Sequence, residues 1–142
     1  QSPKVVVAKM ARVCEAFLDI EGEFASLNTN CFYKPKDDVS IKSIAAILNS
    51  TLFMFLYEQL FGALRMSGGY FQFQAPQLRV MPIKKPDTAQ QKAIDKVVTK
   101  ILAAKRADPQ ADTSTLEGEI DQLVFQLYGL SEDEIGIVEG KG

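Results

Sequence analysis

The chain has 142 residues, 46% of them hydrophobic and 24% charged, a composition typical of a globular domain that buries a core without metal or disulfide support. It contains no histidine, which excludes Ser-His-Asp and Cys-His nucleophilic sites and histidine-ligated metal within the chain. The two cysteines, Cys14 and Cys31, are expected to be reduced thiols of a cytoplasmic protein, a disulfide between them being the less favoured alternative.

The longest apolar stretch, residues 44–64, is interrupted by polar side chains such as Asn49 and Glu58. It therefore predicts no membrane span, and the N-terminus has no apolar secretory region. The first residue is Gln1 rather than Met, from which we expect the chain to be part of a longer protein.

The formal net charge of −2 hides an uneven distribution of charged side chains along the chain. Residues 28–86 carry seven basic and three acidic side chains, whereas residues 87–142 carry six basic and eleven acidic ones. A basic middle segment that faces a polyanion explains this pattern, and so does chance clustering of charge.

The first third of the chain predicts short strands. The β-branched run after Pro3 predicts a buried strand at 4–8, and residues 13–20 have strand character near their end. Glu21 and Gly22 predict a turn, after which the segment 23–33 returns as a hairpin partner.

One long helix is predicted at 40–61, with Ser40 as its N-cap. Its apolar residues follow helical spacing but spread beyond one stripe, so we expect burial on more than one side. After the Gly68-Gly69 break, Tyr70 to Gln74 alternates like a strand, and Leu78 to Ile83 predicts a second extended piece.

The last third predicts an antiparallel helical hairpin and a short final helix. Capping boxes are predicted at Thr88 with Gln91 and at Ser114 with Glu117, and Gly129 ends the second helix. Ser131 with Glu134 is predicted to begin the final helix. The acidic residues at its start are explained by stabilisation from the helix dipole, and a metal site is the less favoured alternative.

The predicted fold class is therefore α+β. A small, mostly antiparallel sheet from strands near 4–8, 13–20, 23–33 and 69–83 packs against the helix at 40–61. We predict that residues 1–86 form the α+β part and that residues 87–142 form a helical hairpin packed on it within the same structural unit.

Three passages in order resemble one protein family. They are IAAILNSTLFMF at residues 44–55, GGYFQFQAPQLRVMPI from Gly68 onward, and EGEIDQLVFQLYGLSEDEIGIVE at residues 117–139. The openings KVVVAKM and FLDIEGEFASLNTNCFY match as well. Together they resemble the TaqI-like C-terminal specificity domain of type II restriction–modification adenine-N6 DNA methyltransferases.

The resemblance implies a DNA target-recognition domain that binds double-stranded DNA and catalyses nothing itself. It implies an N-terminal methyltransferase domain in the parent chain that holds S-adenosylmethionine, in some family members with an added nuclease. No Asn-Pro-Pro motif and no glycine-rich cofactor loop occur in this chain, so no cofactor and no metal are expected here. A protein–protein docking module and the specificity domain of a non-cleaving phage-defence methyltransferase remain alternatives.

The candidate site follows from side chains that pair with base edges and phosphates. If residues 70–74 form a strand, Tyr70, Gln72 and Gln74 share one face, while Phe71 and Phe73 anchor the core. The predicted base-contacting residues are Arg65, Ser67, Tyr70, Gln72, Gln74, Gln77 and Arg79. The predicted phosphate-contacting residues are Lys34, Lys36, Gly68, Gly69, Lys84 and Lys85.

Each of these assignments has a structural alternative. The strand is also compatible with an edge strand whose polar side chains face water. The glycine pair is also explained by a turn that needs glycine's backbone freedom, and the lysines by a solvated loop. Gln72, Gln77 and Arg79 depart from the residues usual in the family, which leaves the recognised base sequence open.

Overall fold

The structure, a computed structural model, describes residues 4–8, 10–11, 14–19, 29–32, 39–64, 69–73 and 75–141. Its described strands are β1 Lys4–Ala8, β2 Met10–Ala11, β3 Ala16–Asp19, β4 Thr29–Phe32 and β5 Phe71–Gln72. Its described helices are α1 Ile41–Leu48, α2 Thr51–Phe61, α3 Ala75–Arg79, α4 Thr88–Ala107, α5 Ser114–Leu127 and α6 Glu132–Val138. The predicted mixture of helices and antiparallel strands is confirmed in part, because helices dominate and the strands are short.

The strand β1 lies between two antiparallel neighbours, in the order β3-β1-β4. Val5 pairs with Leu18 on one side and with Phe32 on the other. Val5 and Val7 are fully buried, as expected of β-branched residues in a central strand. The strand predicted at 4–8 is confirmed, and β3 and β4 lie within the segments near 13–20 and 23–33 that were predicted as strands. The predicted turn at Glu21-Gly22 and the return through 24–27 lie outside the described residues.

The long helix predicted at 40–61 is wrong as one element, because it divides into α1 and α2 at Asn49 and Ser50. Ser40 caps α1 as predicted, through its side chain and the Ser43 amide. Ser50 caps α2 in the same way, since its Oγ accepts from the Phe53 amide at 3.2 Å. The side chain of Asn49 donates to the Ala16 carbonyl at 2.7 Å and accepts from its amide at 2.8 Å. This break therefore ties strand β3 to the helices.

Two of the three predicted helix starts in the last third are displaced or differ in kind. Asp87, one residue before the predicted position, forms the capping box of α4 with Gln90. Gln91 instead accepts the Ser40 amide at 2.9 Å, a tertiary contact that local sequence does not reveal. The start of α5 has no side-chain capping bond, and its Thr113 donates to Glu117.

The end of α5 and the start of α6 follow the sequence prediction. Gly129 has a φ of +66°, and the Leu130 amide donates to the Phe125 carbonyl at 3.1 Å, a left-handed helix end that favours glycine. Ser131 and Glu134 form the capping box of α6.

The hydrophobic core draws on both the first and the last parts of the chain. Val5 and Val7 of β1, Ile47 of α1, Ile94 of α4 and Val124 of α5 belong to one buried cluster. Helix α4 packs against α1 and α5, and α5 also reaches α2. The C-terminal helices thus complete the core beneath the first two helices and the strands.

Candidate nucleic-acid interface

The predicted recognition segment begins at a glycine turn and enters the short strand β5. Gly69 has a φ of +81°, a backbone conformation that disfavours other residues, and this supports the turn interpretation of the glycine pair. β5 pairs antiparallel with β2, with Met10 opposite Gln72 and Ala11 opposite Phe71. The segment is therefore anchored to the chain's N-terminal part by its backbone.

The phenyl rings of this segment point inward, as predicted. Phe71 is 2% exposed and Phe73 is fully buried. Their ring centroids lie 5.8 Å and 4.6 Å from the ring of Tyr57 on α2, which also contacts Phe61 at 4.8 Å. An aromatic cluster of this kind fixes the strand through large buried rings in tilted contacts.

Tyr57 also holds the backbone of the segment. Its hydroxyl donates to the Gln72 carbonyl at 2.5 Å. Burial raises the pKa of Tyr57 from 10 to about 12, helped by the nearby Cys14, so the hydroxyl stays a protonated donor even in moderately alkaline solution. Residue spacing does not reveal this role of Tyr57, because only the packing of α2 on β5 creates it.

The side chains between the buried rings point outward. Tyr70 is 41% exposed and Gln72 is exposed, so the alternation predicted for the strand is confirmed where the chain is described. A side chain in this position can present its amide oxygen and nitrogen to a base edge. Contact of Tyr70 and Gln72 with DNA stays a prediction.

The second extended piece predicted at 78–83 is wrong, because Leu78 and Arg79 lie in helix α3 and a turn follows at Val80. Pro76 is the second residue of α3, in the first turn, where a missing amide hydrogen costs nothing, and so it lies within a helix instead of bounding a strand. Arg79 is exposed and Leu78 is buried. Arg79 is thereby separated from the strand face on which Gln72 lies.

Gln77 is only partly exposed, and its Oε1 is buried without a hydrogen-bond partner among the described residues. It borders a small cavity of about 30 Å³ that Tyr57 and Gln72 also line. A bidentate contact with adenine uses the amide oxygen together with the amide nitrogen. Gln77 would therefore have to rotate outward before pairing in that way.

The lysines that follow α3 lie on an exposed connection to α4. Lys84 and Lys85 are both exposed. The Lys84 amide donates to the hydroxyl of Tyr128 at 3.0 Å, and that hydroxyl donates to the Pro82 carbonyl at 2.6 Å. The end of α5 thus fixes the backbone from which the two lysines project. Burial raises the pKa of Tyr128, which preserves its donor proton.

Six predicted site residues lie outside the described residues, and their contacts stay predictions. They are Lys34, Lys36, Arg65, Ser67, Gly68 and Gln74.

An open groove of about 570 Å³ lies elsewhere, between β3, α1, α4 and α5. Cys14, a free thiol, borders it, and burial raises the pKa of this thiol to about 12. A thiol that stays protonated is a poor nucleophile and a poor metal ligand. Within the described ranges, no three Cys, Asp or Glu side chains converge as metal ligands.

Among the described residues, no single helix has the length and apolar character to cross a membrane. The segments 41–48 and 51–64 are long and apolar enough only when they are taken together, and the chain bends by 58° between them.

Comparison with known proteins assigns the N-terminal part of the chain to a family. None of the curated proteins compared with the chain matches it. The family model of the TaqI-like C-terminal specificity domain matches residues 1–83, which is more than half of the chain and includes β5 with Gln72. The chain therefore belongs to the family of TaqI-like C-terminal specificity domains.

Proposed function

We propose that this chain is the sequence-specific DNA-recognition domain of a restriction–modification enzyme. The observation that carries the proposal is the exposed Gln72 between the buried Phe71 and Phe73, on a strand within the residues matched by the family model. A rigid backbone with an outward amide suits base reading, because the pairing geometry is set before DNA arrives.

The residues divide by role in this proposal. Gln72 pairs with a base edge in the major groove, where an amide side chain fits adenine with two hydrogen bonds. Tyr70 and Arg79 supply further exposed contacts. Lys84 and Lys85 hold phosphates, and such contacts set the position of the protein without reading sequence.

The catalytic step belongs to the rest of the parent protein in this proposal. The parent is an adenine-N6 DNA methyltransferase of the cytoplasm, with or without a fused nuclease, that serves in phage defence. S-adenosylmethionine would bind its N-terminal catalytic domain, against which the present domain clamps the DNA. The present chain would supply the choice of target and no chemistry.

The test compares Gln72→Ala with Gln122→Ala, a matched control that removes an exposed amide from α5. The preferred duplex is first selected from a randomised pool with the unsubstituted chain. We expect Gln72→Ala to lose about 1–3 kcal/mol of discrimination against the wrong base and to keep its affinity for random duplex. Fluorescence anisotropy on both duplexes measures this difference.

Equal losses of affinity on the preferred and the random duplex would contradict the base-reading role of Gln72. Loss of discrimination in Gln122→Ala would contradict it as well. A chain that binds no duplex at low salt would favour the protein-docking alternative, for which exposed apolar side chains such as Leu60, Leu64 and Val80 are available.

A further inference from the structure

We propose that helix α4 carries a second, sequence-independent DNA-binding surface, a lysine row formed by Lys92, Lys96 and Lys100 and extended by Lys42. The row would contact the phosphate backbone of duplex DNA. This inference rests on the proposed function and extends it to helix α4, which lies beyond the part of the chain that the family model matches.

The spacing of the row places its charges along one line. Lys92, Lys96 and Lys100 are four residues apart, so their side chains follow one another on the same face of the helix, about 6 Å apart along its axis. All three are exposed. The opposite face is fixed by Ile94 and Val98, which are buried in the core, so the helix cannot turn its lysines inward.

The row has no neutralising carboxylates on its own helix. Within α4 the only acidic residue is Asp95, which accepts hydrogen bonds from the hydroxyls of Ser40 at 2.6 Å and Ser43 at 2.9 Å. Asp95 therefore faces α1. In the part of the chain that the structure describes, Lys92, Lys96 and Lys100 form no ion pair.

Helix α1 adds a further positive charge at the edge of the row. The Nζ of Lys42 donates to the Oγ1 of Thr99 at 2.9 Å, and Thr99 precedes Lys100 on the exposed side of α4. This contact places a fourth ammonium group on the exposed side of α4.

Such an arrangement is unfavourable for a helix that faces only water. Like charges four residues apart repel, and solvated helices commonly alternate the sign of charge at this spacing. A line of cations about 12 Å long fits a polyanion with closely spaced charges, and a DNA strand offers one phosphate per 3.4 Å. Lys84 and Lys85 are also exposed, on the connection that enters α4.

The experiment compares two variants that each lower the formal net charge by three. The first is Lys92→Gln/Lys96→Gln/Lys100→Gln, and the matched control is Thr115→Glu/Gln122→Glu/Gln126→Glu on the exposed positions of α5. For each chain the dissociation constant for a random duplex is measured at several salt concentrations. We expect the slope of log K against log salt to fall by about 0.9 for every lysine that lies on a phosphate, so by about two to three in the lysine variant.

The control should have the same salt-dependence slope as the unsubstituted chain. The lysine variant should keep the preference of the unsubstituted chain for the selected duplex over random duplex. An unchanged slope in the lysine variant, or an equal change in the control, overturns the lysine row while the proposed function stands. If the unsubstituted chain binds no duplex, both the lysine row and the proposed function are overturned. Tighter, equally salt-dependent binding to an RNA duplex of the same sequence overturns the assignment to DNA.

Backbone amide NMR shifts of α4 upon titration with a short duplex provide a second readout that detects weak binding. Perturbations that include Lys92, Lys96 and Lys100 support the row. Perturbations confined to the recognition segment overturn it.

Discussion

The recognition segment 69–86 and the helices α4 to α6 use different means to hold their shape. Among its described residues, the recognition segment has a two-residue strand and a five-residue helix. Its position depends on buried rings and on tyrosine hydroxyls from other elements. The C-terminal helices are longer than α3, and α4 and α6 each begin with a capping box.

This difference separates variability from stability within one chain. A segment held by Phe71, Phe73, Tyr57 and Tyr128 can exchange its outward side chains without altering the contacts that position it. The helices supply buried surface that depends little on those outward residues. A specificity domain benefits from this division, because its base-contacting residues must change between targets.

The largest expected effect comes from Phe73→Ala, which removes the fully buried ring beside Tyr57. We expect a loss of about 3–5 kcal/mol in the free energy of unfolding, because a cavity replaces the ring. Urea denaturation measures this loss. Tyr70→Ala, which shortens an exposed neighbour, should cost far less. Similar losses for both variants would show that the segment is not anchored by its inward rings.

A smaller effect is expected from alkaline pH through Tyr57. Its pKa is raised by burial from 10 to about 12, so the folded state disfavours the phenolate. The contribution of Tyr57 to the free energy of unfolding is fully present below pH 10 and is lost as the pH rises from 10 to 12. The free energy of unfolding should fall by about 2 kcal/mol over that window.

Tyr57→Phe is the control for the alkaline effect, because it keeps the ring and removes the titrating group. The difference between the two pH profiles isolates Tyr57 from Cys14, whose pKa is also raised. At neutral pH the variant should lose about 1 kcal/mol, since the Gln72 carbonyl loses its donor. Parallel profiles for the two chains above pH 10 would contradict the assignment.

A comparably small effect tests how α4 is attached to α1. Asp95→Asn weakens the acceptor for the hydroxyls of Ser40 and Ser43, and Ser43 is fully buried. We expect a loss of about 1–2 kcal/mol in the free energy of unfolding. Asp121→Asn, at a more exposed contact with Thr51, should cost less. A larger loss at Asp121 would contradict this ranking of the two contacts.

Local features of the sequence predicted those elements whose causes are local. The run Lys4 to Ala8 became a strand, Ser40 began a helix, and Gly129 ended one. The inward and outward alternation of residues 70–73 also followed from their order.

Predictions failed where a distant contact competes with a local one. Asn49 bonds to Ala16 and thereby accompanies the break in the predicted long helix. Gln91, expected in a capping box, bonds to Ser40 instead. The roles of Tyr57 and Tyr128 arise from contacts across long separations in the chain, which residue spacing does not encode.

The amino-acid order by itself determined the family, the strand from Lys4 to Ala8, the helix boundaries at Ser40 and Gly129, and the alternation of rings and amides in the recognition segment. Only the tertiary structure decided which hydroxyls hold that segment and which distant partners Asn49 and Gln91 bind. Caps and alternation act between neighbours along the chain. Burial and hydrogen bonds between distant residues exist only after α1, α2, α4 and α5 have packed together.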